Sequence, residues 1–183
     1  MSKHFSEFNV GLALIEFEKF FWSDFCDNYL EIVKLKISEP SRFENGELLK
    51  RSSQYALYTS MLNILKLIAP VVPHITEEIY QSNYRAFENQ TSIHTLTFPT
   101  SDHKKDITQE LHIKELFDII DLIRKYKTEH GIKYGQESNT ITIFGDEQCI
   151  EMLKSFVNEI KSIARSEKVL FEHAEELSVN ISF

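Results

Sequence analysis

With 183 residues, 42% of them hydrophobic and 26% charged, the chain has the make-up of an ordinary soluble protein: one compact domain, or a main domain with a small appendage. Its formal net charge of −8 counts against a broad nucleic-acid-binding face, because neutralisation of phosphates supplies most nonspecific affinity for such ligands. A nucleic-acid role would therefore need a local basic patch that outweighs the global sign.

No apolar run approaches the ~18–20 residues that a membrane helix requires. The most apolar stretch, Leu62 to Val72, is broken by Lys66 and Pro70. The N-terminus lacks an apolar signal core, so a cytoplasmic location is the expectation. Cys26 and Cys149 lie far apart and form neither a metal clip nor a disulfide framework; both are expected reduced and mostly buried.

The first element is a helix over Asn9–Ile37. Apolar residues recur at Val10, Leu14, Phe17, Phe21, Phe25, Tyr29 and Val33, in steps of three and four that return to one helical face. An α-helix of this length would run about 40 Å. The stripe reads as core, and Trp22, Cys26 and Lys34 lie off it. Pro40 ends the helix, because it has no amide donor and clashes with the preceding turn. A loop follows to Gly46. A second helix is expected over Glu47–Ala69, with Leu49, Ser53, Ala56, Leu57, Ser60, Met61, Ile64, Leu65 and Ile68 on one side. Ala69 to His74 stops it and starts a third helix, with Pro73 or its successor in the first turn. That helix is expected to run to about Phe87. Thr76, Glu77 and Glu78 favour the positive end of its dipole, a structural role that outweighs a catalytic one for this acidic pair.

The segment Thr100–Asp106 is polar, with Ser101 or Asp102 as a helix cap. The fourth helix, Ile107–Glu129, carries the stripe Leu111, Leu116, Phe117, Ile120 and Ile123, and Gly131 ends it in the left-handed position that glycine favours. The period then changes. Thr140–Phe144 is β-branched and reads as a strand; Asp146 caps a helix from Glu147 to about Ile163; and Lys168–Glu172 and Ser178–Phe183 read as two more strands. The expected fold is mainly α. An antiparallel helical bundle over residues 1–134 is followed by a small β-α-β-β subdomain over 135–183, which is too small to stand alone and should dock on the bundle.

Three motifs carry a family resemblance. Phe21-Trp22 to Lys34 fits FW-x-x-FCD-x-Y-x-E-x-x-K, PVVPHITEEIYQ fits H-P-x-x-P-x-ITEE-[IL]-[WY], and Ile123 to Ile132 fits IR-x-x-(K/R)-x-E-x-x-I. In this order they resemble the anticodon-binding domain of the valyl-tRNA synthetases, and the second is shared with the isoleucyl and leucyl enzymes. Ser92-Ile93-His94 with Phe98-Pro99 is similar to a further extended segment of the same enzymes. Three positions depart from the pattern: Ala69 replaces a histidine, and Tyr80 and Asn28 each replace a tryptophan. If the tryptophan at position 28 contacts RNA, that contact is changed here; if it packs on a neighbour, the neighbour should differ too.

The resemblance implies recognition of the anticodon stem and loop of a valine-specific tRNA by a monomeric, non-catalytic fragment with no membrane partner. The catalytic part of the same protein, with its ATP and Mg, would lie outside this stretch. No nucleotide loop, nucleophile elbow or metal-spaced histidine pair occurs, so no catalytic, cofactor or metal residue is assigned. The required basic patch is Arg124-Lys125-Tyr126-Lys127 with Lys133, four positive charges against Glu129. Cations that track phosphates and rings that stack on bases suit single-stranded nucleic acid. The alternative is a helix end that places basic residues against its own dipole. Trp22, Lys34 and Arg42 complete the candidate tRNA contacts, the last two within a second cluster with Lys36, Lys50 and Arg51. Two other functions stand beside this one: the equivalent domain of an isoleucyl enzyme, and a helical interaction module that does not bind tRNA, which the acidic net charge favours.

Overall fold

A computed structural model describes residues 2–100 and 107–183, and the long N-terminal helix is its first feature. After a single turn α1 (Ser2–Ser6), Phe8 reverses the chain with φ 59°. Helix α2 (Val10–Lys19) then passes without a break into a ten-residue π-helical segment, Phe20–Tyr29, and on into α3 (Leu30–Ser38). The expected helix over Asn9–Ile37 is present, but its middle third is π rather than α. The aromatic stripe explains why. Phe17, Phe21, Phe25 and Tyr29 repeat every four residues, and in an α-helix each such step drifts by about 40° around the axis. Bonding i to i+5 widens the turn and keeps the four rings in a column, with successive centroids 5.8, 6.1 and 5.6 Å apart and near-parallel planes. Phe25 is buried and the other three are half-buried.

A 3₁₀ turn at Pro40–Arg42 leads to α4 (Gly46–Ile68), α5 (Pro73–Asn83) and a second 3₁₀ turn at Ile93–Thr95. Helix α5 starts with Pro73 at its first position and ends earlier than the expected Phe87. There the Asn83 side-chain amide donates to the Ile79 carbonyl, and turns continue to Glu88. Helix α6 (Ile107–Glu129) matches its expected span; the proposed caps Ser101 and Asp102 lie outside the described residues. Leu116, Ile119, Ile120 and Ile123 form its buried face, whereas Leu111, counted in the stripe from sequence, is exposed.

Strand β1 (Ser138–Gly145) is central in a three-stranded sheet of order β2-β1-β3. The expected single helix after Asp146 is α7 (Glu147–Leu153), a 3₁₀ turn and α8 (Val157–Ala164). Asp146 caps it as expected, accepting from the Cys149 amide at 2.8 Å. Strand β2 (Ser166–His173) pairs parallel to β1 and β3 (Ser178–Ser182) antiparallel, so the last two strands flank the first and do not pair with each other. The result is mainly helical with a small C-terminal sheet, the fold class expected from sequence.

The described residues group into two compact units, one from Met1–Gly46 with Asp106–Phe183 and one from Glu47–Lys105. In the first, Ile32 and Val33 of α3, the buried face of α6, Ile141, Ile143 and Ile181 of the sheet, and Leu153, Ile160 and Ile163 of the crossover helices form a single core. Burying each such side chain is worth about 1.5–3 kcal/mol, which is how so small a sheet is stabilised. In the second, Leu65 and Ala69 meet Tyr80, Tyr84 and Ile93. Here two of the sequence motifs touch. Glu77 accepts from the Ser92 hydroxyl at 2.8 Å and the Ile93 amide at 3.0 Å, and the Tyr80 hydroxyl donates to the Gln90 carbonyl at 2.9 Å. Glu77 of the ITEE motif thus organises a turn rather than meeting the helix dipole as expected, since the first turn of α5 holds no acidic residue.

Candidate nucleic-acid interface

The basic stretch sits at the C-terminal end of α6, whose termination is set by sequence. Gly131 takes φ +64°; its amide donates to the Thr128 carbonyl at 3.2 Å, and the Ile132 amide reaches back to the Lys127 carbonyl at 2.8 Å. These two bonds make a Schellman motif, which satisfies the last carbonyls and turns the chain sharply away from the helix. Lys133 and Tyr134 lie on the outgoing segment, both exposed.

Helical phase divides the charges of this stretch between inside and outside. Arg124 is half-buried and bound on all sides. It donates to the Asn28 side-chain oxygen at 2.9 Å, to the Asp27 backbone carbonyl, to Asp121 at 3.1 Å and towards the Tyr134 hydroxyl at 3.5 Å. Burial opposes the charge, but the bonds to Tyr134 and Asp121 outweigh it and hold the guanidinium pKa above its ordinary value. Lys127, one turn on, is 1% exposed. Its ammonium donates to the carbonyls of Ala164 at 2.8 Å and Tyr134 at 3.2 Å, and lies 5.6 Å from the centre of the Tyr134 ring. Burial, with the nearby Arg165 charge, lowers its pKa from 10.5 to about 8. Tyr126 is half-buried, donates to the Asn180 side chain at 2.8 Å and stacks on His130 at 4.0 Å. Lys125 is exposed and only loosely paired, 4.0 Å from Glu129.

The π segment meets the end of α6 through Asp27 and Asn28, both bonded by Arg124. Trp22 and Asp27, five apart, would stand about 140° apart round the axis of an α-helix, and the wider π turn brings them closer to one side. Trp22 is 61% exposed, with its edge against Phe21. Asn28, where the family pattern has tryptophan, is buried, and its neighbour is Arg124. It is a packing position. The Asp27 side chain is exposed, and it is the backbone oxygen of this residue that holds the arginine.

Of the second sequence cluster, Lys34 is exposed and paired with Glu31 at 3.1 Å, while Lys36 is buried in an ion pair with Glu159. Arg42 bonds Glu39 at 2.6 Å and also Glu137, which ties it to the segment after Tyr134. Lys50 and Arg51 belong to the other compact unit. Three candidates therefore present themselves to solvent with little restraint (Trp22, Lys125 and Lys133), Lys34 is exposed but paired, three are engaged by neighbours (Arg42, Arg124 and Tyr126), and Lys127 is interior. Sequence reasoning did not single out Asn28, Tyr134 or Glu137 as contacts of these cations. For Asn28 the departure from the family pattern was itself the available signal.

Among the described residues no group of three His, Cys, Asp or Glu side chains could hold a metal ion, and no helix is long and apolar enough to cross a membrane. Burial pushes both cysteine thiols above their ordinary pKa, the reverse of a reactive thiolate.

The end of α6 thus carries exposed cations beside aromatic rings on a mainly helical chain, and comparison with known proteins gives its family. Residues 1–143 match the family described as the anticodon-binding domain of tRNA ligase, and the chain belongs to that family. It is similar to the valine–tRNA ligases of Rickettsia akari (34% identity over 172 residues), Haloarcula marismortui (31% over 179) and Prochlorococcus marinus (28% over 180). These alignments cover 91%, 97% and 96% of this chain and 20%, 18% and 19% of the respective relatives. The chain thus spans about a fifth of the length of the proteins it matches.

Proposed function

We propose that the chain is the tRNA-binding part of a valine–tRNA ligase, and that it grips the anticodon stem and loop with the end of α6, the Gly131–Tyr134 segment and the outer side of the π segment. The observation that carries this reading is the Arg124 junction. One guanidinium joins the π segment to Tyr134, and so gathers exposed Trp22, Lys125, Lys133 and Tyr134 on one compact unit. Lysines there neutralise phosphates and the rings offer stacking surfaces, worth about 1–3 kcal/mol per base. Lys34 and Arg42 extend the surface, the latter through Glu137. Residues 1–134 supply the contacts and 135–183 brace them through the shared core. The chain works as a cytoplasmic monomer, and ATP, Mg and valine are handled by the catalytic part of a longer protein.

The test is titration with tRNAs carrying a valine or an isoleucine anticodon, repeated at several salt concentrations. Tighter binding of the valine anticodon, weakening with salt, is expected. Equal or salt-insensitive binding refutes the reading, and the reverse preference assigns the domain to an isoleucyl enzyme. The net charge of −8 favours a second reading, a helical interaction module, and absence of binding at low salt would decide for it.

A further inference from the structure

We propose that Lys127 is a positioning residue of the nucleic-acid surface: it contributes to binding by fixing the segment that carries Lys133 and Tyr134, and never touches the nucleic acid. This rests on the anticodon-binding reading above. By sequence Lys127 is one cation among four; in the structure it differs from the others in kind. It is the only one of them that is fully buried, and among the described residues no carboxylate pairs with it. A buried ammonium without a counter-ion is expensive to keep, so what it binds is informative.

It binds three groups on two parts of the first unit: the Ala164 carbonyl, and the carbonyl and ring of Tyr134. Arg165 takes φ 54°, a left-handed turn that ends α8, and the Ala164 carbonyl just before it accepts the Lys127 ammonium at 2.8 Å. A cation at a helix C-terminus also meets the negative end of the dipole. The Tyr134 carbonyl accepts at 3.2 Å, and the Tyr134 ring lies within cation–π range. Tyr134 is therefore held at its backbone by Lys127 and at its hydroxyl by Arg124. Between α6 and β1 the outgoing segment is pinned to the end of α8 by this ammonium. Lys133, next to the pinned residue, is exposed and forms no ion pair among the described residues. Its position relative to Trp22 and Lys125 depends on the pin. To reach a phosphate itself, Lys127 would have to leave both carbonyls unpaired in the interior, so a direct contact is the less favourable arrangement.

The experiment compares Lys127→Met, Lys133→Ala and the double variant in tRNA titrations across salt, with circular dichroism to verify folding. Lys133→Ala should lower the salt slope by about 0.7–0.9, one phosphate contact. Lys127→Met should lower it by the same amount, and the double variant by no more than either single one. A double variant with twice the loss means Lys127 makes its own contact, and a Lys127→Met slope equal to wild type means it positions nothing; either result overturns the proposal. Amide exchange gives a readout independent of RNA. The amides of Ile132 and Gln136, bonded to the Lys127 and Lys133 carbonyls, should lose protection in Lys127→Met while β1 keeps its own. If wild type fails to bind tRNA, the anticodon reading falls and the exchange result still decides whether the pin exists. If Lys127→Met fails to fold, wild-type exchange decides: protected Gln136 supports a pinned segment, and free exchange overturns it.

Discussion

Replacing Lys127 by Met should change the way stability depends on pH, and the direction follows from the site. The ammonium has an ordinary pKa of 10.5 in the unfolded chain and about 8 when folded. Below pH 8 the native state carries a buried charge that it binds less well than the unfolded chain does. That shift corresponds to about 3 kcal/mol of destabilisation, at about 1.4 kcal/mol per unit. Between pH 8 and 10.5 the folded chain holds fewer protons than the unfolded one, so stability rises with pH across that window. Methionine has a similar length and no charge, and it lacks this slope, although it leaves the Ala164 and Tyr134 carbonyls without a donor. The unfolding free energy of wild type minus that of Lys127→Met, from urea titrations followed by circular dichroism, should therefore grow in favour of wild type by about 2 kcal/mol between pH 7.5 and 9.5. Taking the difference cancels the groups both proteins share. A difference that stays flat, or moves against wild type as pH rises, would refute the assignment of a buried charge at this position.

Asn28→Ala removes the buried acceptor of Arg124 and should cost about 1–3 kcal/mol in the same urea assay, whereas Asn28→Asp, which keeps an acceptor, should cost less. Gly131→Ala meets open space, so its cost is the strain of φ +64° alone, about 1–2 kcal/mol, and Gly131→Asn should recover part of it in thermal melts. Glu77 keeps its carboxyl below the ordinary pKa: burial works against this, but the donors Gln81, Ser92 and the Ile93 amide prevail. A depressed acid contributes stability that is present above its unfolded pKa and lost as pH falls through the folded value. Glu77→Gln should thus destabilise by about 2 kcal/mol at pH 7 and by progressively less in acid, read from pH-dependent melts.

Element positions were largely legible because local rules governed them. Pro73, Gly131 and Asp146 mark boundaries that depend only on local chemistry, of the backbone for the first two and of a capping carboxylate for the third, and each stands where that chemistry puts it. The π segment was not read, although its signal was present: four aromatic residues at unbroken spacings of four fit a turn wider than 3.6 residues. The break at Lys154–Phe156 left no comparable mark, since no Pro or Gly interrupts that run. In the candidate site, composition located the patch but not the direction of each side chain. Arg124 and Lys127 are three apart and turn inward together, while Lys125 lies between them in sequence and faces out. Which side was inward depended on Asn28, Ala164 and Tyr134. Two of these are remote in sequence and none carries a charge, so counting charges could not find them.

The acidic chain and its cationic patch are reconciled by the same geometry. An i→i+5 helix that returns to i→i+4 bonding must pass over a carbonyl, and an unpaired carbonyl in a partly buried position needs a donor. Arg124 donates to the Asp27 carbonyl, beside that return, and to the Asn28 side-chain oxygen. The aromatic column accompanies the π turn, and Arg124 bonds both the end of that turn and the Tyr134 hydroxyl. A surface organised in this way does not need a large excess of positive charge. In the proposed interface the interior cations shape the surface, and a few exposed lysines and rings meet the ligand. Binding should accordingly show a shallow salt dependence, a few phosphate contacts at about 0.7–0.9 each, together with a loss on Trp22→Ala of about 1–3 kcal/mol that salt does not change. A steep slope with no effect of Trp22→Ala would mean that charge alone carries the interaction, and that the aromatic column serves the core and nothing else.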